Sequence, residues 1–232
     1  MRDPLVLAVA QPPCASHDIG ANAVTHARVV RAARARVVVF PEFSLTGYEL
    51  DAAAIDADDP RLAPIVEACD EVGAVALVGA PVHGVDGKRH IAMLAVDGTG
   101  CSVAYRKIWL GGSEPDWFDP GDRPAVHEVD GWRLGLAICK DTGVARHAAD
   151  TAALGIDAYV AGVAETDADL VHERARRIAA AHGVRVAVAS FAGSTGGGFD
   201  PAAGRSALWS AEGAILAEAG SEPGALARAT FR

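Results

Sequence analysis

Short, uninterrupted apolar segments recur along the chain and alternate with longer segments of helical spacing. Leu5–Ala10 and Val37–Phe40 are continuous apolar runs, which is typical of strands buried on both faces of a sheet. Between them, the apolar residues of Asn22–Ala35 recur with a helical period. The same strand–helix–strand alternation returns in the second half of the chain. This pattern predicts an α/β fold.

The predicted elements follow the order β-α-β-α-β, a hairpin, β-α-β-α-β and terminal strands. The strands are Leu5–Ala10, Val37–Phe40, Ala74–Gly79, two within Ile91–Arg106, Leu134–Ile138, Ala158–Val163, Val184–Ser190, Ser206–Ser210, Ala214–Ala219 and Ala225–Phe231, and the helices are Asn22–Ala35, Pro60–Val72, Ala145–Leu154 and Asp167–His182. The glycine-rich segment Gly193–Gly204 predicts a loop. No internal repeat or linker stands out, so we expect one domain, residues 1–232, with two sheets covered by helices.

Glu42 comes just after the second predicted strand, in the segment FPEF. Pro41 cannot continue a central strand, and strand ends of α/β folds are where ligands bind. Phe40 and Phe43 would shield the carboxylate from water, which raises its pKa toward the range useful for proton transfer. Taken alone, however, Glu42 is better interpreted as a surface glutamate in a turn.

Lys107 and Cys139 also follow apolar strands. Lys107 precedes Trp109 and other apolar residues, so its ammonium is a candidate for stabilising negative charge and lowering the pKa of a thiol in a pocket. Cys139 ends the run Leu134–Ile138 and precedes a predicted helix, whose N-terminus would favour a thiolate. Taken singly, an exposed edge lysine and a buried core cysteine are the simpler interpretations.

Taken together, the segments around Glu42, Lys107 and Cys139 resemble the motifs of a known protein family. In this order, FPE at Glu42, YRK at Lys107 and LGLAICKD at Cys139 resemble the motifs of the nitrilase (carbon–nitrogen hydrolase) superfamily. WFDPGD, Trp117–Asp122, is similar to a stretch that follows the family's lysine, and Glu114 lies where a supporting glutamate is common. The resemblance implies a four-layer α-β-β-α sandwich that dimerises. It also implies hydrolysis of a non-peptide C–N bond through a thioester, without a metal or an organic cofactor.

The same resemblance, together with the chemistry that an amide demands, suggests a role for each residue. The candidate catalytic residues are Cys139 as nucleophile, Glu42 as proton shuttle, Lys107 as oxyanion stabiliser and Glu114 as a supporting carboxylate; the candidate substrate-binding residues are Lys140 and Trp109. The backbone N–H of Lys140 is expected to hold the oxyanion together with Lys107. No metal site is expected.

The chain departs from the family where the substrate pocket is usually shaped. An aromatic residue commonly follows the family's cysteine, whereas this chain has Lys140. We expect hydrolysis of a small linear amide or N-carbamoyl compound. One alternative is nitrile hydrolysis by the same residues, although the C-W-E segment often found in such enzymes is absent. The other is a catalytically inactive small-molecule-binding domain, which the intact Glu42, Lys107 and Cys139 disfavour.

Composition limits the possible binding partners of the protein and the cellular compartment expected for it. The chain has 232 residues and a formal net charge of −9, so it lacks the basic field that nucleic-acid binding requires. No apolar run is long enough to span a bilayer, and the first one is too short for a signal peptide. The four cysteines show no metal-binding spacing. We therefore expect a cytoplasmic protein that binds no membrane, with a small-molecule amide-type substrate, and assembles as a homodimer or higher homo-oligomer.

Overall fold

The computed structural model describes residues 2–197 and 199–232, and the predicted alternation of strands and helices is present within them. The strands are β1 (Leu5–Ala10), β2 (Val37–Val39), β3 (Val75–His83), β4 (Arg89–Asp97), β5 (Gly100–Arg106), β6 (Val126–Val129), β7 (Trp132–Ile138), β8 (Ala158–Val163), β9 (Arg185–Ser190), β10 (Ala192–Gly193), β11 (Ala202–Ala203), β12 (Ala207–Trp209), β13 (Ile215–Glu218) and β14 (Leu226–Phe231). The α-helices are α1 (Ile19–Ala33), α2 (Ala63–Val72), α3 (Ala145–Ala152) and α4 (Ala168–His182).

All eleven predicted strands lie in two six-stranded sheets with the same internal plan. The first sheet has the order β14-β1-β2-β3-β4-β5, and the second has the order β13-β12-β9-β8-β7-β6. In each sheet three neighbouring strands are parallel, β1-β2-β3 and β7-β8-β9, and the flanking strands are antiparallel. The carboxyl ends of the parallel strands therefore share one edge of each sheet, which is where the reactive side chains were predicted.

The two sheets pack face to face, and helices cover their outer faces. Along β1, Leu7 belongs to the apolar layer between the sheets, whereas its neighbour Ala8 packs in the layer beneath α1 and α2. Along β7, Leu136 faces the first sheet and Ala137 packs in the layer beneath α3 and α4. Successive strand residues point to opposite faces, so continuous apolar runs are needed to fill both layers. The four-layer α-β-β-α sandwich is confirmed.

The first and last residues of a helix differ from the prediction where capping interactions set the ends of that helix. Helix α1 begins at Ile19, earlier than the expected Asn22, because the Asp18 side chain accepts a hydrogen bond from the N–H of Ala21. It ends before Arg34, which adopts a left-handed conformation with φ of 49°. The longest described helices, α1 and α4, have 15 residues each. None of the described helices has the length and apolar character needed to traverse a bilayer.

Two short pairings were not predicted. Strand β6 is an edge strand whose polar His127 and Glu128 break the apolar pattern, so its sequence carries little strand signal. Within the predicted loop Gly193–Gly204, the two-residue strands β10 and β11 pair with each other. Gly198, in the same segment, lies outside the described residues.

Candidate active site

Three candidate catalytic residues extend from strand ends of the two facing sheets. Lys107 directly follows β5 in the first sheet, and Cys139 directly follows β7 in the second. Glu42 lies three positions beyond the end of β2. Glu114 joins them from a 3₁₀ turn, Glu114–Asp116. The packing of the sheets thus brings together residues that are far apart in sequence.

The Lys107 ammonium lies between two carboxylates in a buried cluster. Its side chain is 1% exposed, and Nζ donates to Glu42 Oε1 at 2.7 Å and to the two oxygens of Glu114 at 2.7 and 2.8 Å. Burial acts to lower the pKa of Lys107, but the charges of Glu42 and Glu114 outweigh it and hold that pKa above its ordinary value. Lys107 is therefore a fixed positive charge.

Glu114 uses both of its oxygens within the cluster, whereas Glu42 does not. The Tyr48 hydroxyl donates to Glu114 Oε1 at 2.6 Å, and the Gly111 N–H donates to Oε2 at 2.7 Å. Glu42 Oε2 is buried and has no hydrogen-bond partner among the described residues. The geometry thus gives Glu114 a holding function and leaves one oxygen of Glu42 available. Sequence reasoning missed Tyr48, because an aromatic residue after a glycine has no local signal that separates it from a core residue.

The environment of Glu42 suits proton transfer near neutral pH. Burial raises the pKa of Glu42 to about 7, against the opposing effects of the Lys107 charge and of its interaction with the Cys139 thiol. A carboxyl group with a pKa in this range can both accept and return a proton at neutral pH. The expected desolvation of Glu42 is therefore present.

Cys139 occupies a strained turn at the end of β7. Its φ is +45°, a left-handed conformation that costs a non-glycine residue about 1–3 kcal/mol. It begins a 3₁₀ turn, Cys139–Gly143, rather than the expected helix, because α3 starts only at Ala145. The Sγ atom lies 3.4 Å from the carbonyl oxygen of Ala164, to which the thiol donates.

Lys107 acts to lower the pKa of the Cys139 thiol, as expected, but the net shift of that pKa is upward. Burial and the charge of Glu42 raise this pKa well above its ordinary value, and Lys107 opposes them only in part. The largest cause is burial, which disfavours the charged thiolate, and the carboxylates of Glu42 and Glu114, which pair with the ammonium, add to it. The resting residue is accordingly a thiol, and its activation requires a base.

Two glycines let the Glu42 segment lie close to both sheets. A Cβ atom on Gly79 of β3 would lie 2.3 Å from the Pro41 carbonyl oxygen. A Cβ atom on Gly162 of β8 would lie 2.6 Å from the Phe40 carbonyl oxygen and 3.0 Å from the Glu42 nitrogen. The distances of 2.3 and 2.6 Å are shorter than real Cβ atoms show, so the position of the Glu42 segment depends on the missing side chains of both glycines.

The two candidate substrate-binding residues differ in their placement. The Lys140 side chain packs beside Gly111, and Nζ donates to the Leu110 carbonyl oxygen at 2.8 Å. No carboxylate of the described residues lies within 4.0 Å of this ammonium. The Trp109 side chain instead lines a cavity of about 190 Å³ to which Glu42, Lys107 and Cys139 do not contribute.

One group of potential metal ligands occurs among the described residues, away from this cluster. His17, Glu49 and Asp51 offer ligand atoms within 4.8 Å of one another at the surface. His17 and Asp51 are already hydrogen-bonded to each other at 2.9 Å. In the buried cluster, the Lys107 ammonium holds the place between the carboxylates that a cation would take.

Sequence comparisons place these residues within a known family. The model of the carbon–nitrogen hydrolase family matches residues 6–231. A hydrolase encoded in the 5′ region of pqqF in Pseudomonas protegens is 33% identical over 145 residues, or 58% of this chain and 50% of that protein. An (R)-stereoselective amidase from a Pseudomonas species is 30% identical over 129 residues, or 53% of this chain and 46% of that protein. These alignments span about half the length of the curated relatives.

Solved structures share the fold. Nit3 from Saccharomyces cerevisiae, a member of branch 10 of the nitrilase superfamily, matches with a TM-score of 0.87 and 21% identity over 98% of this chain and 90% of its own. A variant of an amidase from Nesterenkonia sp., with acrylamide added to its active-site cysteine, matches with a TM-score of 0.87 and 23% identity over 98% and 93% of the two chains. Another variant of that amidase, in complex with butyramide, has a TM-score of 0.87 and 24% identity over 98% and 90%. At these identities the likeness shows the fold.

The close packing of Gly162 predicts a specific sensitivity to a single methyl group. We expect Gly162→Ala to lower the free energy of unfolding by about 1–3 kcal/mol, because the added Cβ atom forces the Phe40–Glu42 backbone to move. Gly220→Ala is the matched control, since a Cβ atom there would meet nothing within 4 Å. Urea denaturation of both variants measures the difference. Equal stabilities would contradict the proposed contact.

Proposed function

This chain belongs to the carbon–nitrogen hydrolase family, the nitrilase superfamily, and on that premise we propose that it hydrolyses small linear amides or N-carbamoyl compounds through a Cys139 thioester. The products are a carboxylic or carbamic acid and ammonia or an amine. The observation that carries the proposal is the buried Glu42, which is held by Lys107 at 2.7 Å through one oxygen and has no hydrogen-bond partner for the other among the described residues. We assign the activity to one domain formed by residues 1–232, supported by the family match over residues 6–231.

In the first half-reaction, Glu42 takes the proton of the Cys139 thiol, and the sulfur attacks the carbonyl carbon of the substrate. Because the thiol pKa is raised, this base is required rather than optional. The carbonyl oxygen becomes an oxyanion, which the Lys107 ammonium and the N–H of Lys140 stabilise. Glu42 then gives its proton to the leaving nitrogen, the C–N bond breaks, and a thioester remains.

In the second half-reaction, Glu42 takes a proton from water, and the oxygen of that water attacks the thioester carbonyl carbon. The same oxyanion contacts stabilise the intermediate. Its collapse breaks the C–S bond and releases the acid, and Glu42 returns the proton to the sulfur. Atoms balance as one amide and one water giving one acid and one ammonia or amine. Glu114 holds Lys107 in place throughout through its hydrogen bonds with Tyr48 and Gly111.

We propose that Lys140 contributes its side chain to substrate binding. It directly follows the nucleophile, it is exposed, and its only hydrogen bond among the described residues is to a neutral carbonyl oxygen. An ammonium in that setting favours an anionic group on the substrate, such as a carboxylate. Trp109, whose side chain lines a different cavity, acts in this proposal only through the position of its backbone.

We also propose a reducing, cytoplasmic compartment. The mechanism needs Cys139 as a free thiol, and oxidation would remove the nucleophile. All four cysteines are unpaired in the structure. This agrees with an environment in which thiols stay reduced.

Loss of the nucleophile tests the activity itself. We expect the wild-type protein to release ammonia from members of a panel of small amides and N-carbamoyl compounds. The rate of release by Cys139→Ala should be lower by about a thousandfold or more. Its melting temperature should stay near the wild-type value, because one partly buried sulfur contributes little to stability. Cys101→Ala, at another partly buried cysteine, is the matched control and should keep its activity.

The same panel separates the alternatives. Turnover of nitriles without turnover of amides would replace the proposed substrate class, and wild-type activity in Cys139→Ala would contradict the thioester intermediate.

Within the panel, butyramide and succinamate differ mainly by a terminal carboxylate. Lys140→Met should lower kcat/KM for succinamate more than for butyramide; equal effects would contradict the proposed role of the ammonium.

The two glutamates should fail in different ways. Glu42→Gln keeps the shape but cannot accept the thiol proton, so we expect neither acylation nor thioester hydrolysis. Glu114→Gln loses positioning, which should cost about a hundred- to a thousandfold and leave measurable activity. In the wild type, acylation should slow as the pH falls below about 7, because Glu42 then becomes protonated. In Glu114→Gln this decline should begin at a lower pH, because the charge of Glu114 no longer raises the pKa of Glu42.

Single-turnover assays that follow acyl-enzyme mass and product release separately measure these effects across pH. Acylation by Glu42→Gln at near wild-type rate, with an inactive Glu114→Gln, would reverse the two assignments.

We further propose a homodimer. Ile215 and Leu216, adjacent residues of the edge strand β13, are 41% and 46% exposed, which supports an apolar contact with a second chain. A closed two-fold assembly is the commonest arrangement of soluble oligomers. Light scattering at micromolar concentrations should give twice the chain mass, and Leu216→Lys should shift it toward the monomer. A monomer mass for the wild type across this range would refute the proposal.

A further inference from the structure

A chain of buried polar side chains lies behind the nucleophile, and the proposed reaction does not use it. The Tyr105 hydroxyl lies 2.7 Å from Asp141 Oδ2 and 2.8 Å from His147 Nε2. The other ring nitrogen of His147, Nδ1, lies 2.9 Å from the Tyr159 hydroxyl. All four side chains are buried. Buried polar groups on this scale are usually retained for a purpose, since each must be satisfied.

The hydrogen bonds have one consistent direction, which ends at Asp141. Burial lowers the pKa of His147, so the ring is neutral and carries a single proton. With that proton on Nε2, His147 donates to the Tyr105 oxygen, and Nδ1 accepts from the Tyr159 hydroxyl. Tyr105 then donates its own proton to the Asp141 carboxylate. The reverse direction would require Asp141 to be the donor, although backbone N–H groups already point at both of its oxygens.

Asp141 joins the two halves of the proposed site through backbone contacts. Its Oδ2 accepts the N–H of Ile138, the residue before the nucleophile, at 3.0 Å. Its Oδ1 accepts the N–H of Trp109, two residues after Lys107, at 2.9 Å. One carboxylate thus holds the end of β7 in the second sheet and the segment that leaves β5 in the first.

We propose that Asp141, oriented by Tyr105 and His147, is a positioning residue that sets the placement of Cys139 relative to Lys107 and Glu42. This inference rests on the proposed role of Cys139 as the nucleophile. Cys139 needs such a restraint because its left-handed φ of +45° is unfavourable for a non-glycine residue. Of the three bonds that Asp141 accepts, the one from the Ile138 N–H fixes the turn, the one from the Trp109 N–H fixes the opposing segment, and the one from Tyr105 orients the carboxylate. Displacement by about 1 Å can cost roughly a hundredfold in rate.

The test reads the reactivity of Cys139 directly. Iodoacetamide labelling at neutral pH, with mass spectrometry of the Cys139 peptide, measures how well Glu42 activates the thiol. Asp141→Asn should lower this rate about tenfold or more, because an amide NH2 necessarily faces one of the donors that the carboxylate accepts. Tyr105→Phe should have a smaller effect and Tyr159→Phe the smallest, in order of distance from Asp141.

Asp157→Asn is the matched structural control. Asp157 also accepts a backbone N–H of β7, that of Arg133, at 2.8 Å, but at the opposite end of the strand from Cys139. We expect this variant to lose stability and to keep the wild-type labelling rate. In turnover assays, Asp141→Asn should lower kcat by a larger factor than it raises KM, since the Lys140 ammonium proposed to bind the substrate is retained.

Several outcomes would overturn the inference. One is a folded Asp141→Asn variant that labels at the wild-type rate; another is an Asp157→Asn variant that loses labelling equally. If Asp141→Asn does not fold, Tyr105→Phe decides, and an unchanged labelling rate there overturns the proposal. The labelling assay needs no substrate, so absence of amide turnover would count against the proposed function and leave this test intact.

Discussion

The buried ammonium of Lys107 is the constraint on which the rest of the site depends. A charge that is 1% exposed is tolerable only if it is paired and hydrogen-bonded, and removing one partner of such a pair typically costs about 3–5 kcal/mol. Glu42 and Glu114 supply that pairing from two different parts of the chain. The ends of β2 and β5 and the turn at Glu114 must therefore converge on one point, and the architecture of the first sheet makes this possible.

The same arrangement decides the protonation states. Burial is the main cause of the raised pKa of Cys139, and the excess negative charge of two carboxylates around one ammonium adds to it by disfavouring a thiolate nearby. Burial also raises the pKa of Glu42 to about 7, with the charge of Lys107 opposing it and that of Glu114 adding to it. These pKa shifts fit the proposed reaction, in which a proton moves from sulfur to carboxylate and no thiolate exists before substrate binds. In the proposed reaction, Lys107 stabilises the charge that develops on the substrate oxygen.

Backbone packing places these groups as much as side-chain chemistry does. Phe43 and Cys139 both have positive φ, 54° and 45°, in the turns that follow strands of facing sheets. The close approach of the Glu42 segment to Gly162 links the first sheet to the second. Asp141 makes a second link, between Ile138 and Trp109. Strain at two turns is held by contacts between layers, which is how an unfavourable local conformation persists in a stable fold.

The sequence by itself determined the elements and the candidate residues. Continuous apolar runs such as Leu5–Ala10 and Ala158–Val163 have the same bounds in the structure, because strands buried on both faces leave no polar position to obscure the pattern. The motifs around Glu42, Lys107 and Cys139 identified residues that the structure brings together. Local signals failed where adjacent polar residues interrupt an edge strand, as in β6, and where a helix start depends on a capping contact, as at Asp18.

Only the tertiary structure decided how the candidate residues affect one another. The hydrogen bonds of Tyr48 with Glu114 and of Asp141 with Trp109 join positions 66 and 32 residues apart, and no local pattern encodes them. The sign of the Cys139 pKa shift also depended on the fold, because it follows from how many carboxylates meet Lys107 and how much water reaches them. Charge and burial act through space, whereas a sequence orders residues only along the chain.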